Sequence, residues 1–532
     1  MINAQCEKPR LFSELGRKGS KILLNRYCYL LLFCLAAAVS VLRQEVLGAV
    51  LFVFIICIFL VVSDDLVTVF LPLLLMCVFL TTCYDSSSTF IKFAWLAVPV
   101  VAAFIFHFAV YRGEFVLGSS IWGLFAVAVA VTMGGISWIS GYEYFNLVSF
   151  YYMIFLGVGM IAFYIGIKSQ FSRKRDYDLK EQIALIFYIM GVFACFVALF
   201  NVMPEIKTEK GLVIPTDFQP ANNLCTFMMF ALPCPFYFAR KNKAHLVIPF
   251  VMLAAMFFSG SRAGLLLGTA EIIVCLLIWI IFDKRQRFFY ICLTIFFVGF
   301  VAVFKSNIIA LLSQAGLYPF VSEDETRVKL IRRAFKLFFK NPIFGHGLGY
   351  QGLYDLYCPK TGAMGWYHMM IPQIIGSMGI VGIAAYLYQG INQLRIVFKA
   401  YKNSVDGEKF AVLTLMLSYV GILLMSQVNP GLFCPLPYYL MAVILFATMD
   451  GSGGIPFIVS AYGKITSKFR KKAAGAEVER VAEEATDDAE SVDTCAQTAA
   501  AEETTAERVR VVAKRITKKD FDELSKNKDK SK

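Results

Sequence analysis

The sequence predicts an all-α polytopic membrane protein, and three observations support this fold class. Hydrophobic residues make up 58% of the 532 residues and charged residues only 17%, which is too apolar for a soluble protein of this length. The apolar residues are grouped in about 14 segments, most of them near the length of a helix that crosses the hydrocarbon core. Basic residues are concentrated in alternate connecting segments, as expected for loops that face the cytoplasm.

The N-terminal segment, residues 1–26, is expected to lie in the cytoplasm. It carries six basic residues against two acids. The apolar segment behind it has no convincing small-residue cleavage site before Arg43, so we expect a retained first span and no signal peptide.

Residues 27–304 contain the first eleven predicted spans and residues 371–449 contain three more. The apolar segments lie near residues 27–42, 46–62, 66–83, 91–111, 116–139, 148–167, 183–203, 220–238, 245–258, 265–282, 288–304, 371–391, 410–428 and 434–449. With the N-terminus inside, the basic clusters at 168–180, 240–243, 284–287 and 395–409 all face the cytoplasm. This parity puts the 259–264 turn and the long polar segment 305–370 on the outer side.

The outer segment 305–370 is predicted to contain an amphipathic helix followed by a glycine turn. Ser322 and Glu325 form a capping box in front of the helix, and Asn341-Pro342 ends it. The apolar positions with helical spacing are Val328, Ile331, Ala334, Phe335, Leu337 and Phe338. The glycines at 345, 347 and 349 permit backbone shapes and close approaches that larger residues block.

The C-terminal segment, residues 450–532, predicts a cytoplasmic tail that is disordered or forms a lone helix, because it has too few large apolar residues to bury a core. The net charge of +13 comes from residues 1–449, because the 16 basic and 16 acidic residues of the tail cancel. The basic inner loops indicate topology and contact with anionic lipid, and no nucleic-acid partner is expected. Of the cysteines, only Cys358 and Cys434 lie in outer loops, where a bridge between them is one alternative. No Cys/His spacing resembles a zinc site.

Arg262 lies between two predicted spans, where an arginine is costly unless it is paired or faces a wet cavity. The alternative is an arginine that extends to the membrane surface. Arg327 has an alternative interpretation as a solvated helix residue, and His368 one as an interfacial anchor.

The order of these residues resembles the O-antigen ligase and O-antigen polymerase superfamily over about residues 215–390. The resemblance is carried by Ser261-Arg-Ala-Gly264, Arg327, Asn341-Pro-Ile-Phe-Gly-His-Gly347, His368 and Gly379-Ile-Val-Gly382, preceded by Gln219-Pro-Ala-Asn-Asn223. Two positions depart from the family pattern. Met369 follows the histidine where the family often has Asn, and Ala263 replaces Gly.

This resemblance implies a GT-C-like glycosyltransferase of the bacterial cytoplasmic membrane. Its donor would be a polyprenyl-diphosphate-linked glycan, and its acceptor a hydroxyl of a glycan, lipid or cell-wall component at the outer face. The resemblance assigns catalysis to His368, Arg262 and Arg327, substrate binding to Arg332, Arg333, Asn222, Asn223 and Tyr367, and a structural turn to Gly345 and Gly347. No cofactor is expected. The sequence has no outward-facing Asp-x-Asp pair that would predict a divalent-metal site, and the acids Glu323 to Glu325 are explained as helix capping, so we expect transfer without a metal ion.

Three alternatives remain open at the level of sequence. A polymerase would use the same donor chemistry with a growing glycan as acceptor. A lipid-linked oligosaccharide flippase or another transporter would have a similar number of spans, although such proteins tend to carry charges near the middle of the bilayer in repeated halves. The outer segment could also serve only as a docking surface for a partner.

Overall fold

The computed structural model describes residues 10–81, 94–111, 116–136, 150, 153–171, 175–202, 218–314, 325–348, 367, 369–429, 431–433 and 436–451. The chain divides into two units, residues 1–455 and 456–532. All the described residues belong to the first unit. The predicted tail from residue 452 onward, Cys358 and Cys434 lie outside the described residues. Within these ranges the regular structure is helical and contains no strand, which confirms the all-α prediction.

Eighteen α-helices occur in the described ranges, and they are numbered here in chain order. They are α1 Arg10–Leu23, α2 Arg26–Val41, α3 Glu45–Val62, α4 Val67–Leu80, α5 Ala97–Val110, α6 Ile121–Ile136, α7 Met160–Phe171, α8 Leu179–Val197, α9 Phe218–Ala231, α10 Pro233–Phe238, α11 Val247–Phe258, α12 Arg262–Phe282, α13 Arg287–Val303, α14 Lys305–Gln314, α15 Glu325–Lys340, α16 Met370–Asn403, α17 Asp406–Met425 and α18 Leu436–Met449.

Six helical segments in the described part of the chain are long and apolar enough to cross a membrane. They are Glu45–Val62, Met153–Phe171, Leu179–Phe200, Arg262–Phe282, Met370–Asn403 and Asp406–Met425. The α1/α2 and α13/α14 pairs are bent by 62° and 66°, and the number rises to eight if each pair is one span. The chain is therefore a multi-pass membrane protein. Each predicted apolar segment coincides with a helix or a broken helix, but several are short, and the count of 14 spans stays a prediction.

The helix α1 lies in the segment for which the sequence predicted only a basic cytoplasmic lead. Its Gly19 packs closely against the end of α3, where a side chain would overlap the backbone of Val62, and Gly16 packs against Tyr111 and Asp64. The exposed side of α1 carries Leu15 and Ile22 beside basic residues. The small and apolar residues of this segment have helical spacing, which indicates a helix despite the many basic residues.

The helix α8 lies at the centre of the bundle, where it packs against α4, α9, α11 and α17. Asp178 caps its first turn by accepting a hydrogen bond from the Lys180 N–H at 2.9 Å. The α6 helix packs along α16, and α18 packs against α7.

Two polar joints tie the helices together at the end of the bundle that carries residues 63–66 and 175–178. Arg175 Nε donates to Asp65 Oδ2 at 3.1 Å, and the Tyr177 hydroxyl donates to the same oxygen at 2.6 Å. Burial, and then the Asp65 carboxylate, raise the pKa of Tyr177, so its hydroxyl remains a donor at physiological pH. In the second joint, Asp450 accepts hydrogen bonds from the hydroxyls of Tyr164 at 2.7 Å and Ser119 at 3.0 Å.

The amphipathic helix predicted in the outer segment is present as α15, and it ends at Lys340 directly before Asn341-Pro342. The capping residue Ser322 lies outside the described residues. The predicted apolar face is wrong in part: the buried side chains are Leu330, Ala334 and Leu337, whereas Val328 and Phe335 are exposed. The spacing of the buried residues, i, i+4 and i+7, forms a single stripe, and this stripe packs on α16.

The long helix α16 is broken at Gly379, which has φ 59° and ψ −147°. The turn after α15 packs against this break, with hydrogen bonds from the Ile380 N–H to Pro342 O at 2.8 Å and from the Val381 N–H to Ile343 O at 3.1 Å. In the opposite direction, the His346 N–H donates to Gly376 O at 2.9 Å and the Gly347 N–H to Ser377 O at 3.0 Å. The glycine turn and the Gly-Ile-Val-Gly element are therefore one backbone-paired unit.

We expect Gly379→Ala to destabilise the protein strongly. The φ/ψ region of this residue is essentially restricted to glycine, and an added Cβ would lie 2.5 Å from Pro342 O and 2.7 Å from Ile343 O. A loss of about 2 kcal/mol or more is expected. The apparent melting temperature in detergent, measured by loss of the monodisperse peak in size-exclusion chromatography, should fall.

Gly390→Ala is the matched control, because Gly390 lies in the same helix and nothing lies within 4 Å of its added Cβ. Alanine should be neutral there or stabilise the helix by up to about 1 kcal/mol. Equal melting temperatures for the two variants would contradict the strained break at Gly379.

Candidate functional site

The predicted Ser-Arg-Ala-Gly element forms the turn between α11 and α12. Ser261 is the N-cap of α12, and its hydroxyl accepts a hydrogen bond from the Gly264 N–H at 3.0 Å. Gly260, with φ 77°, turns the chain in front of the cap. Arg262 is the first residue of α12 and is half-buried. The Ser261 cap therefore fixes the backbone position of Arg262 at the start of α12.

Two asparagines on α9 connect this turn to the rest of the bundle. The Ser261 hydroxyl donates to Asn222 Oδ1 at 2.6 Å. The next residue, Asn223, accepts a hydrogen bond from Asn429 Nδ2 at 2.9 Å through its side chain and from the Tyr438 hydroxyl at 2.8 Å through its carbonyl. The predicted substrate-binding residues Asn222 and Asn223 thus bond to protein groups that position Ser261 and the turn after α17.

The start of α16 is held by this same turn. The Met370 N–H donates to Ser426 O at 2.9 Å, and the Ser426 hydroxyl accepts from the Leu432 N–H at 3.0 Å. The Tyr367 N–H donates to Gln373 Oε1 at 3.2 Å, while Gln373 Nε2 donates to the Ser377 hydroxyl at 3.0 Å. His368 lies outside the described residues. Its chain neighbours Tyr367 and Met369 are described, and both are buried.

The Tyr367 side chain is completely buried between α15 and α16. It forms a small apolar cluster with Leu330, Ala334 and Leu337 of α15. A Cβ on Gly376 would lie 2.9 Å from the Tyr367 hydroxyl, so the glycine makes room for the ring. Tyr367, which the sequence predicted to bind substrate, therefore packs between α15 and the start of α16 and holds them together.

The remaining predicted residues lie on α15 and in the turn that follows it. Arg332 is exposed and Arg333 is half-buried. Arg327 is in the first turn of the helix, and its side chain lies outside the described residues. Gly345 and Gly347 have φ of 67° and 102°, and a Cβ on Gly345 would lie 2.5 Å from the backbone of Ser377 and Met378. A structural role for both glycines accords with this geometry.

Three residues that the sequence did not single out are central to this site. They are Gln373, Ser426 and Asn429. Each is polar and lies in or directly beside a predicted span, where an unpaired polar group is costly. That position indicates a partner within the protein, but Ser426 and Asn429 bond to Met370 and Asn223, which are distant in sequence. Within the described residues no three His, Cys, Asp or Glu side chains are grouped so that they could hold a metal ion.

The fold and the site together define a multi-pass helical membrane protein whose candidate polar site is built from α9, the α11/α12 turn, the α16 start and the α17 end. Residues 247–387 match the family model Wzy_C, described as O-antigen ligase. This part of the chain is therefore similar to the O-antigen ligase and O-antigen polymerase superfamily, and the match confirms the resemblance that its motifs indicated. The family implies an O-antigen ligase-like or polymerase-like membrane function with a lipid-linked glycan as substrate.

The matched range includes Arg262, Arg327, the glycine turn, His368 and Gly379, and it leaves out Asn222 and Asn223. None of the proteins with curated descriptions matches the chain.

We expect Ser261→Ala and Asn222→Ala to be coupled. Both remove the 2.6 Å hydrogen bond, so the double variant should be more stable than the sum of the single losses predicts, by about 1 kcal/mol. Ser261→Ala should cost more than Asn222→Ala, because it also removes the cap of α12. The free energy of unfolding of the two single variants and the double variant, measured on purified protein in detergent, tests this coupling.

Thr269→Ala is the control on the same helix, since the Thr269 hydroxyl only donates to Leu265 O one turn earlier. It should change stability little and add independently to Asn222→Ala. Simple additivity of Ser261→Ala and Asn222→Ala would contradict the proposed link between the two motifs.

Proposed function

We propose that this protein is a membrane glycosyltransferase of the O-antigen ligase type. It transfers a glycan from a polyprenyl-diphosphate carrier to an acceptor hydroxyl at the outer face of the bacterial cytoplasmic membrane, with inversion at the anomeric carbon. The family match supports the general class, and the residue roles and the chemistry are our proposal.

The observation that supports this proposal best is the set of hydrogen bonds between the family motifs. Ser261 bonds to Asn222, Asn223 bonds to Asn429, and Met370 bonds to Ser426 in the same turn as Asn429. These bonds hold the α12 start, which carries Arg262, and the α16 start, which follows His368, at one end of the bundle. A transferase needs such rigid spacing between the groups that act on leaving group and nucleophile.

Arg262 and Arg327 are proposed to bind the diphosphate of the donor. The bond between the anomeric carbon and the diphosphate oxygen breaks in the reaction, and the departing polyprenyl diphosphate gains negative charge. A guanidinium stays charged at any physiological pH and can donate two parallel hydrogen bonds to phosphate oxygens. Such donors stabilise the transition state more than the ground state because the charge on the leaving group increases.

His368 is proposed to be the general base. It would take the proton of the acceptor hydroxyl as the oxygen attacks the anomeric carbon from the side opposite the diphosphate. An ordinary histidine pKa near 6.5 suits this role near neutral pH. We propose that Arg332 and Arg333 contribute to donor binding, and that transfer requires no metal ion.

The membrane arrangement proposed with this function has 14 spans, with both termini in the cytoplasm. Residues 305–370 form the outer catalytic segment between the eleventh and twelfth spans. The chain from 450 to 532 is proposed to be a cytoplasmic tail. The basic connecting segments on one side and their absence from short loops on the other support this orientation.

His368→Ala should abolish transfer while donor binding is retained, with a loss of about 10²-fold or more in kcat. Arg262→Lys should also lower kcat, because lysine keeps the charge but loses the bidentate geometry. The measurement is transfer of labelled glycan from a polyprenyl-diphosphate donor by purified protein in nanodiscs, with a chelator present and a panel of acceptors.

His245→Ala is the control for the loss of a histidine. His245 lies at the opposite end of the bundle, where it bonds to the Tyr188 hydroxyl at 2.9 Å, so transfer should be unchanged. Near-full activity of His368→Ala would overturn the assignment of the base. Activity that disappears with chelator and returns with a divalent metal would overturn metal independence.

The same assay separates the alternative functions. Transfer to a separate acceptor identifies a ligase, whereas products that lengthen by whole repeat units identify a polymerase. If purified protein only moves labelled donor across liposome membranes and forms no new glycosidic bond, the transferase proposal is wrong and a flippase replaces it.

The proposed orientation predicts opposite labelling of two single cysteines introduced into a cysteine-free variant. Lys329→Cys on α15 should react with a membrane-impermeant maleimide added to intact spheroplasts. Lys284→Cys, between α12 and α13, should react only after the membrane is opened. Labelling of both residues from outside would contradict the proposed topology.

A further inference from the structure

A carboxyl group lies near the middle of α12 and takes no part in the proposed transfer reaction. Glu271 is nine residues from Arg262 and twelve from Asp283, or about 14 Å and 18 Å along the helix axis. Its side chain is 94% buried, since 6% of its surface is exposed. An ionisable group at this depth in a span is costly and therefore requires an explanation.

The Glu271 carboxyl points into a niche between α12 and α17. A Cβ on Gly421 of α17 would overlap Glu271 Oε1, so the absence of a side chain at 421 creates the space. Both carboxyl oxygens are buried and have no hydrogen-bond partner in the part of the chain that the structure describes. A carboxylate without partners in an apolar niche would be strongly unfavourable.

The groups around this niche are uncharged. The Cys234 thiol of α10 and the Cys275 thiol of α12 lie near Glu271. The other titratable or charged groups on the helices that pack on α12 are Cys225 of α9, Tyr237 of α10, Asp406, Glu408, Lys409 and Tyr419 of α17, and Arg287, Tyr290 and Cys292 of α13, and the Arg240–Asp283 pair lies beside them. None of them forms a hydrogen bond or ion pair with Glu271 in the described residues.

Polar groups continue from Glu271 toward only one end of α12. Cys275 and Trp279 follow at intervals of four residues, so they lie within about 80° of Glu271 around the helix. Asp283 is the C-cap of the helix. The Trp279 indole N–H and the Tyr290 hydroxyl are buried without a hydrogen-bond partner in the described ranges, and Asp283 pairs with Arg240 at 3.4 Å. Toward Arg262 the same face carries Gly268 and Gly264, which pack against Met256 and Cys225.

From this geometry we propose that Glu271 is an intramembrane proton-binding site that exchanges its proton through the Asp283 end of α12. The bound form is the neutral carboxylic acid. Its loss of a proton would leave an unpaired charge between α12 and α17, the helices that lead to Arg262 and Ser426. Proton occupancy therefore links the packing of these two helices to pH at the end of the bundle opposite the transfer site.

The first test uses dicyclohexylcarbodiimide, an apolar reagent that adds a protonated carboxyl across one of its C=N bonds. The O-acylisourea formed rearranges to a stable N-acylurea without loss of any atom. Wild-type protein in nanodiscs at neutral pH should gain the mass of one carbodiimide at the α12 peptide, and a water-soluble carbodiimide should not label it. Glu271→Gln, which keeps the shape of the side chain, should remain unlabelled.

Glu408→Gln is the matched control, because Glu408 is a half-exposed carboxyl at the start of α17 that pairs with Lys180 at 2.9 Å. This variant should be labelled at Glu271 like the wild type. Absence of label at Glu271 in folded wild-type protein would overturn the proposal. Protection of Glu271 by sodium or potassium ions at constant pH would also overturn it and identify a cation site.

A second measurement does not depend on any variant of Glu271 folding. The infrared C=O band of a protonated carboxylic acid should be present at neutral pH and shift on transfer to D₂O. Trp279→Phe should slow that shift by removing a polar group from the route, whereas Trp122→Phe, at an exposed position on α6, should not. An exchange rate equal to that of wild type in Trp279→Phe would overturn the proposed route.

Discussion

The break of α16 at Gly379 is the constraint on which the candidate site depends. A helix that is interrupted in an apolar bundle leaves backbone N–H and C=O groups that must find partners within the protein. The turn at 342–347 supplies those partners through four backbone hydrogen bonds. This pairing fixes α15 to α16. The buried ring of Tyr367, which directly precedes His368 in the chain, packs on α15 as well.

Side-chain hydrogen bonds also connect helices of the site that are far apart in sequence. Asn222 and Asn223 are neighbours on α9, yet one bonds to the cap of α12 and the other to the turn after α17. Such bonds are stronger in surroundings of low dielectric constant, and an unpaired amide there would cost more than in water. The two asparagines therefore act as a clamp between the proposed diphosphate-binding and base-bearing segments, as a preorganised transfer site requires.

The helix α12 combines two different uses of polar residues in a span. At its start, Ser261 and Arg262 lie at a helix end where backbone N–H groups are available and a cap satisfies one of them. At its centre, Glu271 has no partner in the described residues, and its niche exists because residue 421 is glycine. The proposed transfer site at the start of α12 and the proposed proton site at its middle can therefore share one helix. Gly264 and Gly268, which lie between the two sites, pack tightly against Cys225 and Met256 and carry no polar side chain.

The sequence by itself determined the membrane class, the positions of the apolar helices and the order of the family motifs, because these depend on local apolar length, periodicity and spacing. It missed the basic helix α1. It also placed the end of α15 correctly at Asn341-Pro342, since proline restricts the residue before it. It placed Ala334 and Leu337 on the apolar face of α15 but missed the buried Leu330, and it did not predict the roles of Ser426 and Asn429. Those depend on which helices become neighbours, and a polar side chain in a span acquires its meaning only from the partner that tertiary packing brings to it.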